Sequence, residues 1–260
     1  MILSCTTCAL RQPDKDEIAE TLHHAPRIGF THWGIAGPLT WTRQAIKQMD
    51  IPNLLKQANA VGLTHITELY AFGIPTDSVE EAENAINDLM LNVEAAIELN
   101  CPLVVFSGGR KTENGLEPTI AGLKMLSQLI KGKPIRIGLE PHLNSQFQDA
   151  KDFETIFTEI DSPQIGITVD TGHFHAAGVD WKAVIRQYPD KIYNVHLKDT
   201  IGPQSVPIGK GEVDLPGLID ELRAINYQAA LALELEVVDH QNLPRYVEQA
   251  YHYLTDLLSN

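Results

Sequence analysis

Four residues able to hold a metal or move a proton stand where apolar runs end. Glu140 closes IRIGLE, Asp170 closes IGITVD, His196 lies at the end of IYNVHL, and Glu234 follows ALAL. An acid or imidazole carried into such a run is costly unless it is paired or bound to a cation. Three carboxylates converging on one place would repel one another, and one divalent metal ion is the simplest neutraliser. Oxygen-rich donors with a single imidazole suit Mn²⁺, Mg²⁺, Co²⁺ or Zn²⁺, whereas a structural zinc cage would be rich in thiolates. Taken singly, each residue has a plain explanation: Glu140 as a helix-cap partner, Asp170 as a turn residue, His196 as a satisfied core histidine. Their recurrence at four successive run ends points instead to one catalytic metal with open coordination positions.

Something must bring those ends together. Short β-rich runs alternate with longer segments of helical period along the chain. Strands are expected from Leu3 to Cys8, Ile28 to His32, His65 to Tyr70, Leu103 to Ser107, Ile135 to Glu140, Ile165 to Asp170, Ile192 to Leu197 and Ala230 to Glu236. Between them, the segment after Asp77-Ser78 carries acids in its first turns and Val79, Ala82, Ile86, Leu89, Val93 and Ile97 on one face. Further helices are expected over Ile51 to Val61, Thr119 to Ile130, Asp149 to Ile160, Lys182 to Tyr188, Leu215 to Ile225 and Leu243 to Leu258. Strict alternation predicts a parallel sheet with right-handed crossovers, and eight units can close into a single (β/α)8 barrel. In such a barrel the strands' carboxyl ends form the active-site mouth. An open doubly wound sheet would use fewer strands and place a Gly-rich loop after the first one. Neither feature is present, and Gly209-Lys210-Gly211 lacks the third glycine of a dinucleotide fingerprint.

The 260 residues are read as one domain, 1–260, with no linker-like or low-complexity stretch to divide them. A formal net charge of −14 with scattered Lys and Arg disfavours nucleic acid as a partner. The opening MILSCTTCAL has no basic n-region and is too short for a membrane span, so no membrane partner and a cytoplasmic location are expected. Three cysteines make no disulfide framework. Cys5 and Cys8 form a CxxC inside the apolar first strand and, like Cys101, read as small buried hydrophobes.

The motifs GLEPH, VDTGH and VHLKD with the late LELE resemble the xylose isomerase-like barrel superfamily of sugar isomerases, sugar 3-epimerases, inosose dehydratases and endonuclease IV-type enzymes. The resemblance covers nearly the whole chain. It implies that Glu140, Asp170, His196 and Glu234 match the metal-binding residues of epimerase-like members and that His173 matches a substrate-contacting histidine. Glu236 points to the same side of its strand as Glu234, so the last ligand lies between the two. In epimerase-like members the metal holds two neighbouring oxygens of a keto sugar, and a stabilised enediolate follows loss of the intervening proton. The resemblance therefore implies a metal-dependent isomerase or epimerase of a sugar or sugar phosphate. Glu140 and Glu234 would be its catalytic acid and base. Two carboxylates on opposite faces would epimerise, and one shuttling carboxylate would isomerise aldose and ketose.

Weaker substrate contacts are Trp33, after a strand ending at His32, as an aromatic wall or barrel plug, and Glu68, for a hydroxyl or a base. Lys198, Lys210 and the Ser107-Gly108-Gly109-Arg110 loop could take a phosphate or carboxylate, against the plainer reading of solvated surface cations. His142 and His175 are read as loop or supporting residues. An inosose dehydratase-like lyase needs the same enolate and remains open. An endonuclease IV-type enzyme would want extra histidines at earlier strand ends, and the fourth strand ends in Phe106-Ser107. A binding barrel without chemistry would not need the full ligand set. Pairing into a homo-oligomer is allowed, though no apolar stripe announces it.

Overall fold

A parallel strand satisfies its backbone groups only through neighbours on both sides, so eight such strands either expose two edges or close. The computed structural model, which describes residues 1–37, 40, 42–75, 77–113 and 115–259, shows closure. In chain order the elements are β1 (Ile2–Thr6), α1 (Glu17–Ile28), β2 (His32–Ile35), α2 (Arg43–Gln48), α3 (Ile51–Val61), β3 (His65–Tyr70), α4 (Val79–Glu98) and β4 (Leu103–Ser107). There follow α5 (Leu116–Leu129), β5 (Arg136–Glu140), α6 (Ala150–Glu159), β6 (Ile165–Asp170), α7 (Thr171–Ala176), α8 (Trp181–Gln187) and β7 (Ile192–Leu197). The hairpin β8 (Asp199–Ile201) and β9 (Gln204–Val206), α9 (Leu215–Ala224), β10 (Ala230–Leu233) and α10 (Leu243–Ser259) complete the chain. Strands β1 to β7 run round the barrel in sequence order and β10 seals it between β7 and β1.

Register places the polar strand ends at one level. Ser107 pairs with Glu140, and Asp170 with His196. The helices start where their caps dictate: Asp16 accepts from the amides of Ile18 and Ala19, Ser78 from Glu81, and Asp149 closes a reciprocal box with Asp152. Their apolar faces cover the barrel. Phe153 of α6 sits among Phe147, Phe157 and Phe174, with centroids 6.1 to 6.3 Å away, and so anchors α7 beside the mouth. Among the described residues no helix is long and apolar enough to cross a membrane.

Several boundaries differ from those expected. Ile28 ends α1, which Pro26 and two histidines disguise in the sequence, and Gly29 at φ 124° stops the helix. Strand β2 therefore begins at His32 rather than ending there, which moves Trp33 to its second residue. Strand β1 stops at Thr6, Cys8 lies in the 3-10 turn Thr7–Leu10, and β10 stops at Leu233, one residue before the acid.

Candidate active site

Glu140, Asp170, His196 and Glu234 each offer a ligand atom within 4.8 Å of the others, and all four are buried. His196 Nδ1 lies 2.5 Å from Glu140 Oε1, 3.3 Å from Glu234 Oε2 and 3.8 Å from Asp170 Oδ2. Its other nitrogen, Nε2, lies 2.9 Å from Oε2 of the wholly buried Glu68. With a cation in place of the proton on Nδ1, Glu68 would keep the remaining proton on Nε2 and leave an Nδ1 lone pair aimed at the other three carboxylates. The amide of Asn194, two residues back along β7, donates to the same Glu68 oxygen. Gly34 makes room: a Cβ there would stand 2.7 Å from Glu68 Cγ.

Each acid is tethered on its far side. Tyr70 OH donates to Glu140 Oε2, Cys8 Sγ to Glu234 Oε1 at 3.1 Å, and the His173 amide to Asp170 Oδ1 at 2.7 Å as α7 begins. Lys198 Nζ lies 3.2 Å from Asp170, 2.9 Å from Glu234 and 3.0 Å from Glu236. Asp170 Oδ2 and Glu234 Oε2 nonetheless accept no hydrogen bond of sound geometry, although both are buried. Three buried carboxylates crowded round one imidazole nitrogen, their charge balanced only by the protons on His196 and Lys198, fit a divalent cation, and these four residues would hold it.

The charges are strongly linked. Burial works against ionising Glu140, but the adjacent His196 charge and hydrogen bond bring its carboxyl down to about 2. Burial, reinforced by Glu140 and Glu234 and opposed by Lys198, pushes Asp170 up to about 7. Burial would also discharge His196 and Lys198, yet the surrounding carboxylates hold both well above their usual ranges. His173 is pushed down to about 3 by burial and then by Lys198, so it stays a neutral imidazole, 3.3 Å from Lys198 Nζ. His142, from GLEPH, packs against it with ring centroids 3.8 Å apart and the planes tilted by 39°.

The four expected ligands are brought together, and Glu234 rather than Glu236 joins them. The Glu236 side chain is 49% exposed, and among the described residues its carboxylate reaches only Lys198. Lys198 is no solvated cation: its side chain is 5% exposed and lies among the acids. Glu68 meets an imidazole, and His173 stands at the mouth. Trp33 does not: wholly buried near the amino end of β2, it lines a cavity at the opposite end of the barrel. The Gly209-Lys210-Gly211 loop wraps the buried Asp199 carboxylate, which accepts from the amides of Gly209, Gly211 and Val213, so its glycines serve a turn. Tyr70 and Cys8 escaped the sequence reading. Tyr70 was legible as the last residue of a strand, while Cys8 looked like one more apolar position.

This closed barrel with an acid-rich mouth belongs to the xylose isomerase-like TIM barrel family, whose profile matches residues 22–257. Among curated proteins it is similar to the inosose dehydratase of Clostridium tetani (strain Massachusetts / E88), 26% identical over 145 residues, covering 48% of each chain. It is also similar to that of Mesomycoplasma hyopneumoniae (strain 7448), 28% identical over 170 residues, covering 57% of this chain and 56% of the relative. The chain thus spans about half the length of the curated relatives it matches. Among solved structures it resembles the IolI protein with a binding zinc atom (TM-score 0.80, 17% identity, 100% of this chain and 98% of that one). It likewise resembles the 3-keto-D-glucoside 4-epimerase YcjR of E. coli (TM-score 0.77, 19% identity, 100% of both).

Proposed function

We propose that this chain is a divalent metal-dependent isomerase or epimerase that removes and returns the proton beside the carbonyl of a sugar-like substrate. The observation that carries the reading is the convergence of three buried carboxylates on one imidazole nitrogen, with Glu68 engaging the other nitrogen of that ring. A bound divalent ion would polarise the carbonyl and neighbouring hydroxyl, which lowers the cost of an enediolate. Glu140 and Glu234 would exchange the proton. Tyr70 and Cys8 hold the outer oxygens of those two acids, leaving the inner ones facing the centre. Neutral His173 and cationic Lys198 would orient and hydrogen-bond substrate oxygens at the mouth.

A lyase is the second reading, favoured by Lys198. Expelling a β-hydroxyl needs a proton donor besides the abstracting carboxylate, and a buried ammonium beside the acids supplies one. The relatives named inosose dehydratase agree with it. The test incubates Mn²⁺-loaded protein with ketoses and inososes in D2O and follows the substrate by proton NMR. Deuterium entry beside the carbonyl, with epimer or aldose formation and abolished by Glu140→Gln, is the expected result. Loss of water to a conjugated product, abolished by Lys198→Gln, would establish the lyase. No exchange with any of these substrates, wild type matching Glu140→Gln, would refute both.

A further inference from the structure

The lysine lying against the cluster carboxylates is Lys198, so it is the group that an anionic substrate would have to find. Three acids already surround its ammonium. Asp170 and Glu234 belong to the cluster, and their side chains are 0% and 7% exposed. Glu236 stands 3.0 Å from Nζ, holds no place in the ligand set, and is 49% exposed. Of the three it is the one open to solvent, so it occupies the approach to the ammonium from the mouth.

Both members of this pair are held in place. The Thr171 hydroxyl accepts from the Lys198 amide at 2.9 Å and donates to its carbonyl at 2.6 Å. Gly172 leaves room for the lysine stem, since a Cβ there would stand 2.7 Å from Lys198 Cβ. On the other side, the Glu236 amide donates to Ser205 Oγ of β9 at 3.4 Å, which ties the acid to the β8–β9 hairpin.

The loop after β1 repeats the arrangement. There the Arg11 guanidinium donates to the buried Glu17 carboxylate at 2.6 Å and to the Ala36 carbonyl at 2.7 Å. Gly37 makes room for that acid, because a Cβ in its place would overlap the Glu17 carboxylate. With a divalent ion seated and His196 neutral, Glu68, Glu140, Asp170, Glu234 and Glu236 set five negative charges against three positive ones on the ion and Lys198. A phosphate or carboxylate arriving at the mouth meets a surplus of its own sign, whereas a hydroxyl does not.

We propose that Glu236 sets the charge selectivity of this mouth. It neutralises Lys198 on the side from which substrate arrives, so the site takes an uncharged polyhydroxy ketone and turns away sugar phosphates and sugar acids. Lys198 then meets substrate hydroxyls as a hydrogen-bond donor and not as an anion receptor. The inference rests on this mouth being the entrance for a sugar-like substrate, but its first test needs no turnover.

Sulfate, a dianion of phosphate shape, is titrated calorimetrically into the Mn²⁺-loaded full chain. Glu236→Gln, at an exposed position, should bind one sulfate per chain. Wild type and Glu236→Asp, which keeps the charge, should bind it at least about tenfold more weakly. Equal binding by wild type and Glu236→Gln, or no binding by any of the three, would overturn the proposal. Deuterium exchange from D2O into D-fructose 6-phosphate without exchange into D-fructose would also overturn it, while the proton transfer itself would stand. Exchange into neither sugar, with sulfate binding as expected, would count against the proton transfer and uphold the role of Glu236.

Discussion

Replacing Glu68 separates the geometry of the imidazole from the ligand set itself. Glu68 would touch no metal, yet its Oε2 takes the Nε2 proton of His196 at 2.9 Å and so aims Nδ1 at Glu140, Asp170 and Glu234. In Glu68→Gln a neutral amide oxygen can still accept that proton, so only the charge-assisted part is lost. Glu68→Ala removes the acceptor and lets the ring turn. Supporting partners of this kind are worth about 10- to 100-fold in metal affinity. We therefore expect about tenfold weaker Mn²⁺ or Zn²⁺ binding for Gln and about 100-fold for Ala, or about 1.4 and 2.7 kcal/mol. One effect opposes this: Glu68 is the largest charge that raises the His196 pKa, so without it Nδ1 sheds its proton more readily. The deficit should accordingly be larger at pH 8.5 than at pH 7. Dissociation constants from competition with a metallochromic chelator, with urea unfolding as a check on folding, read this directly. Affinities within twofold of wild type for both variants would refute the role given to Glu68.

Acid stability offers a second test. His173 is buried neutral with its pKa lowered to about 3, against an unfolded value near 6.5. Unfolding below pH 6.5 thus takes up a proton that the folded chain refuses, and stability falls as pH drops from 6.5 toward 3. At pH 5 the metal-free protein should have lost up to about 2 kcal/mol through this group relative to pH 7.5, and His173→Gln should lack that increment in urea titrations. Identical pH slopes would contradict it. Phe153→Ala should cost about 3 to 5 kcal/mol, because the ring is wholly buried against three others, with a matching fall in the urea midpoint. Metal at 100 times its dissociation constant should add about 2.7 kcal/mol, raising Tm by about 5 to 10 °C in calorimetry, and a chelator should reverse it.

The sequence made the barrel legible because seven of its eight strands are apolar runs bounded by clear helix signals. The run after β1 was the exception. There Pro26 and His23-His24 hid α1, and the apolar pair Ile28 and Phe30 imitated a strand. That slip carried Trp33 to the wrong end of the barrel. The three cluster acids and their imidazole were legible because each breaks an apolar run at the same point of its unit. What joins them was not. That Lys198 lies buried rather than solvated, that Cys8 donates to Glu234 and that Glu68 crosses from β3 to His196 on β7 depend on barrel closure, which sets residues 128 apart in sequence at 2.9 Å. Short polar links such as the β8–β9 hairpin, shaped round Asp199, carry too little periodicity to be seen beforehand.

The central claim is that Glu140, Asp170, His196 and Glu234 hold one divalent ion. Elemental analysis of wild type and of Glu140→Gln, Asp170→Asn, His196→Ala and Glu234→Gln, each loaded with Mn²⁺ or Zn²⁺ and dialysed against metal-free buffer, tests it most directly. The account predicts about one ion per wild-type chain and loss of that ion in the variants. A wild type that neither retains nor regains metal, or ligand variants that keep a full equivalent, would contradict it.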